Sequence, residues 1–75
     1  MPRVPIVSGS EAVRALQGLG FNVDRQRGSH VVMKKLTAAG EIGCVIPMDR
    51  EVAAGTLRSA LKMAGVSVEE FTEAL

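Results

Sequence analysis

Phe21-Asn22-Val23-Asp24-Arg25-Gln26-Arg27-Gly28-Ser29-His30-Val31-Val32-Met33-Lys34-Lys35-Leu36 is the stretch that decides the fold. Two extended runs flank Gly28-Ser29, and glycine at the first central position of a two-residue loop marks a β-hairpin. The stretch predicts strands over Phe21 to Arg27 and His30 to Leu36. The turn Thr37-Ala38-Ala39-Gly40 leads to a third strand, Glu41 to Pro47, with Ile42, Cys44 and Ile46 alternating on one face. Pro47 ends it, having no amide hydrogen for a ladder. With no bulge, Arg27 pairs with His30, Arg25 with Val32 and Val23 with Lys34. Phe21 and Leu36 then share that face, basic at one end and apolar at the other, while Val31 and Met33 take the opposite face. A bulge or longer turn reverses which residues meet the rest of the core. Phe21, Met33 and Ile46 are expected inside, and His30 at an exposed strand end.

Helices flank this meander. Residues 1–7 read as an extended lead-in, since Pro2 and Pro5 oppose helix. Ser8-Gly9-Ser10-Glu11 is a capping box, with Ser8 as N-cap and Glu11 three residues on. The helix it starts has Ala12, Val13, Leu16 and Leu19 on one side, and Gly18 and Gly20 supply the stop. A second helix, from about Ala53 to Ala64, turns Leu57, Ala60, Leu61 and Ala64 inward and ends at Gly65. Asp49 is expected to cap that helix, the alternative being that it orients a partner. Ser67-Val68-Glu69-Glu70 is another capping box, with Val66 stapled against Phe71. The result is one α+β domain over residues 1–75, a three-stranded antiparallel sheet with both main helices on one face and a short C-terminal helix.

Size and composition narrow the function. A chain of 75 residues buries only roughly 60% of its unfolded surface, so a deep pocket for a large cofactor is not expected. Phe21 and Phe71 are its only aromatic residues, which argues against RNA recognition on aromatic stacking platforms. The net charge of +1 conceals an asymmetry. Glu69, Glu70 and Glu73 gather in the last ten residues, and from Arg25 to Leu36 there are four bases and no acid. Such a stripe is either a solvated face or the footprint of a phosphate-binding surface. One His and one Cys cannot supply the three or four N/S ligands of a zinc site. Cys44 reads as a buried, inert thiol in a reducing compartment. With no signal peptide and no apolar run of membrane-spanning length, the reading is a soluble cytoplasmic protein with no cofactor.

The pieces Gly20-Phe21, Arg25-Gln26, Gly28-Ser29-His30 and Gly55-Thr56-Leu57-Arg58-Ser59, followed by Ala64-Gly65-Val66-Ser67, resemble the HicA family of bacterial toxins in this order and at these spacings. The resemblance runs from about Ser8 to Phe71. It implies a fold like the double-stranded RNA-binding domain (dsRBD). It further implies an mRNA interferase that arrests translation in stress responses and is held inactive by a HicB antitoxin. It places the residue on which activity depends at His30. One departure is visible: family members often carry a histidine in a Pro-x-His pattern after the third strand, where this chain has Pro47-Met48-Asp49.

The chemistry expected of such a site is metal-independent RNA cleavage. A 2′-hydroxyl must lose its proton, a phosphorane-like dianion must be stabilised, and the leaving 5′-oxygen must be protonated. Imidazole exchanges protons near neutrality, so His30 is the general acid or base. Arg25, Arg27 and Lys34 are the phosphate-binding candidates, guanidinium being suited to bidentate contact. Gly28 serves the turn and, compatibly, lets backbone approach phosphate, and Ser29 either donates to a phosphate oxygen or is an ordinary turn residue. Gly55-Thr56 could offer N–H groups to an anion or simply begin a helix. Arg58 and Lys62, one turn apart, line a solvated face within reach of RNA. The expected partners are mRNA and a HicB-like antitoxin. The alternatives are a dsRBD-like RNA-binding module without catalysis, and a protein-interaction domain for an acidic partner.

Overall fold

The computed structural model describes residues 3–75, so Met1 and Pro2 of the expected lead-in lie outside the described residues. The order is α1 (Gly9–Gly18), β1 (Asn22–Arg27), β2 (His30–Thr37), β3 (Gly40–Pro47), α2 (Ala54–Ala64) and α3 (Val68–Glu73). The sheet is antiparallel in the order β1-β2-β3. Both capping boxes form: Ser8 accepts from the Glu11 amide and Ser67 from the Glu70 amide, each glutamate reaching back to the serine N–H.

The core lies between the helices and one sheet face. Val31 and Met33 of β2 and Cys44 and Ile46 of β3 pack there against Ala12, Ala15 and Leu16 of α1 and Leu57, Ala60, Leu61 and Ala64 of α2. Phe71 of α3 closes one end, with Val66 packed beside the core. Phe21, Met33 and Ile46 are all buried, and His30 is exposed.

Strand register departs from the unbulged reading. Arg27 pairs with His30 and Arg25 with Val32 as expected, but the ladder then shifts at Asp24, so Val23 pairs with Met33 and Asn22 with Lys34. The extra residue turns the start of β1 over. Phe21 therefore enters the core at 2% exposure, while Leu36, expected on its face, stands 82% exposed on the other side. The bulge reconciles an apolar residue and two arginines of like parity, which an unbroken strand would force onto one face.

Candidate nucleic-acid interface

Odd-numbered β2 residues face the helices, so His30, Val32, Lys34 and Leu36 look outward. Pairing sets Arg27 and Arg25 on that same outer face, beside His30 and Val32. Pro47 and Val45 flank the other side of the same two rows. Arg25, Arg27 and His30 are exposed, and none of their side chains has a hydrogen bond or ion pair to another described residue. An unpartnered pair of guanidinium groups beside an imidazole is a surface with charge-assisted hydrogen bonds left to offer.

The strand end that carries His30 is held from several sides. Gly28 has φ 56, and among the described residues none but glycine has positive φ, Ser29 included, the pattern of a type II′ turn. The Gln26 side-chain amide donates to the Gly28 carbonyl at 3.0 Å. The Met48 N–H donates to the Ser29 carbonyl at 2.6 Å, fastening the turn to the exit of β3. The Gly9 N–H donates to the Asp49 carbonyl at 2.9 Å, so the start of α1 braces that exit in turn. A side chain on a strand end fixed in this way loses little freedom when it meets a ligand.

The remaining expected site residues divide. Lys34 is on the outer face, one row beyond Arg25, but its Nζ lies between Asp24 (3.8 Å) and Glu41 (3.4 Å). Lys35 faces the helices: its Nζ donates to the Leu19 carbonyl at 2.9 Å and sits 5.6 Å from the centre of the Phe21 ring. It thus supplies the cation that the last turn of α1 lacks. Arg58 is exposed and, at 3.6 residues per turn, on the flank of α2 opposite Thr56, Ser59 and Met63. It does not join the strand cluster. Asp49 does not cap α2, whose N-cap is Ala53 with no side-chain hydrogen bond. Its carbonyl serves α1 instead, because four residues of chain separate it from the helix it was expected to start.

Cys44 is buried, and burial pushes its thiol up to about 11. The Glu11 and Glu70 carboxyls are held below the ordinary range, first by the backbone hydrogen bonds of their capping boxes. Among the described residues no three His, Cys, Asp or Glu side chains gather as a metal site would require. Among them also, no helix is long and apolar enough to cross a membrane.

Sequence reasoning passed over Asp24 and the Met48 N–H. Asp24 had a usable signal in the clash of parity between Phe21 and Arg25. The Met48 contact is backbone to backbone, and no side-chain pattern encodes it. The family model described as the HicA toxin of bacterial toxin–antitoxin matches residues 9–66, which spans the hairpin, all three strands and α2. No curated protein matches the chain.

Proposed function

Because the chain belongs to the HicA family of toxin–antitoxin toxins, whose members are RNases, we propose that it is a metal-independent endoribonuclease that cuts mRNA and arrests translation. The observation that carries this reading is the exposed outer face on which Arg25, Arg27 and His30 stand together without partners of their own. A phosphodiester laid on the two arginines brings its ribose to the imidazole. The 2′-oxygen bonds to phosphorus as the bond to the 5′-oxygen breaks, leaving a 2′,3′-cyclic phosphate and a 5′-hydroxyl. His30 takes the first proton or delivers the last. The arginines offset the charge of the phosphorane, with the turn at Gly28-Ser29 offering close backbone approach and a hydroxyl donor. Lys34, held by Asp24 and Glu41, lends its charge to the same face and reaches phosphate once those carboxylates are neutralised. A HicB-like antitoxin is the expected protein partner.

Purified protein incubated with RNA in EDTA tests this. Cleavage survives the chelator, and His30→Ala lowers its rate by about 10²–10⁴. Arg25→Ala and Arg27→Ala each lose about 10- to 100-fold, the worth of a charge-assisted hydrogen bond. A dsRBD-like module without catalysis is the second reading, favoured by the missing histidine at Pro47-Met48-Asp49. Tight binding of RNA that stays intact with both wild type and His30→Ala would select it. Growth arrest on induction, relieved by the neighbouring antitoxin gene, checks the toxin role.

A further inference from the structure

α2 packs against β3, and its Thr56–Ser59–Met63 flank lines a shared concavity with Val45 of that strand. Between them runs an open groove of about 540 Å³, walled by Val45 on one side and by Gly55, Thr56, Ser59 and Met63 on the other. We infer that this groove receives one unstacked base of the RNA whose phosphate rests on Arg25 and Arg27, so that the substrate is single-stranded. The inference rests on the ribonuclease reading and names the substrate class of that same site.

Continuity is the first argument. Val45 is a wall of the groove and also an outer-face residue, paired with Val32 and diagonal to His30 across the β2–β3 ladder. Such diagonal neighbours are roughly 7–8 Å apart, a distance one nucleoside spans. The guanidinium groups occupy the β1 side of His30, and the opposite direction leads over Val32, Val45 and Pro47 into the groove. That floor is aliphatic, and the carboxylate that borders it, Glu41, is offset by Lys34 at 3.4 Å.

The lining supplies the second argument. Met63 is 68% exposed and Val45 43% exposed, and a polarizable thioether opposite a branched aliphatic side chain makes a slot for a flat ring. The Thr56 and Ser59 hydroxyls have no hydrogen-bond partner among the described residues. Each can donate or accept, so together they satisfy the edge of any base without selecting one. Apart from its chain neighbours and the backbone of its own helix, no described atom lies within 4 Å of where a Gly55 side chain would begin, which leaves the mouth open. A base held in a duplex cannot enter such a slot, because it must first leave its stack. The dsRBD-like fold is thereby turned to a single-stranded substrate.

The test uses the full chain, ¹⁵N-labelled, with a single-stranded 2′-O-methyl tetranucleotide that lacks the nucleophile and so stays intact. Amide shifts are expected at Arg25, Arg27 and His30 and also at Val45, Gly55, Thr56 and Ser59. An abasic residue moved along the oligonucleotide should, at one position, abolish the groove shifts alone and weaken binding by about tenfold. A duplex of the same sequence should leave the groove unperturbed. Ser59→Phe, at an exposed helical position, should lower affinity for the intact tetranucleotide about tenfold and leave the abasic one unchanged. Strand shifts with a silent groove would overturn the subsite, leave the arginine site standing and mark the groove for a protein partner. Silence at both places would remove the subsite and the ribonuclease reading together.

Discussion

Replacing Gly9 by alanine should destabilise the protein, although the same change at most helical glycines does the reverse. Gly9 is buried at the first position of α1, and its N–H holds the Asp49 carbonyl at 2.9 Å. A Cβ there would stand 2.6 Å from the Met48 Cα and 3.0 Å from the Pro47 carbonyl carbon, and closer still to the Pro47 oxygen. These are backbone atoms, so relief requires α1 and the β3 exit to part. Moving the Met48 contact alone from 2.6 Å to the 3.4 Å at which ordinary contact begins opens the junction by at least about 0.8 Å. Overpacking of this kind costs roughly 1–3 kcal/mol, and the stretched amide bond adds about 0.5–1.5 kcal/mol. Helix propensity returns less than about 1 kcal/mol. The net loss of about 2 kcal/mol lowers Tm by roughly 8–16 °C in a domain of this size. Gly18→Ala is the control: with nothing within 4 Å of its Cβ, it should gain about 0.4–1 kcal/mol. Urea unfolding with an unchanged slope measures both. RNA cleavage by Gly9→Ala should also fall below the refolded wild type, because the displaced Pro47–Met48 segment carries the N–H that anchors Ser29. A Gly9→Ala protein as stable as wild type would refute the junction and the bracing of His30 derived from it.

The Asp24–Lys34–Glu41 group makes a second test. Two free arginines on the outer face predict a slope of log K against log salt of about −1.4 for single-stranded RNA. Asp24→Asn with Glu41→Gln releases Lys34 and should steepen it to about −2.1, whereas an unchanged slope would show that Lys34 never meets phosphate. The Cys44 thiol should resist aromatic disulfide reagents at pH 8 in the native protein and react once unfolded in urea. Because burial raises its folded value to about 11 from 9.0, the unfolded chain ionises first and stability falls as pH climbs from about 9 to about 11. The Glu11 and Glu70 carboxyls are depressed below 4.5 in the folded state. Their contribution is complete above the unfolded value and is lost as pH falls through the folded one. Glu11→Gln with Glu70→Gln should therefore flatten the decline of Tm below pH 4.5, and an equally steep decline would clear the capping boxes of any part in it.

Local chemistry was legible in the sequence wherever one residue and its near neighbours sufficed. Ser8 with Glu11 and Ser67 with Glu70 specify helix starts through bonds spanning three residues. Gly28 specifies its turn through the φ it tolerates, and Ile42, Cys44 and Ile46 specify a strand face through period two. Those features, with the Gly28-Ser29-His30 and Gly55-to-Ser59 motifs, were enough for element order, fold class and family. Tertiary structure decided what depends on residues distant in the chain. The bulge at Asp24 had to be chosen by the whole sheet, since only packing against α1 makes burial of Phe21 worth an interrupted ladder. The bases of β2 separated because Lys34 meets Asp24 and Glu41 from both neighbouring strands, while Lys35 meets the end of α1. Composition sees four like charges there; the fold leaves Arg25 and Arg27 as the pair without internal partners, since an ion pair or a capped carbonyl is a property of three-dimensional neighbours.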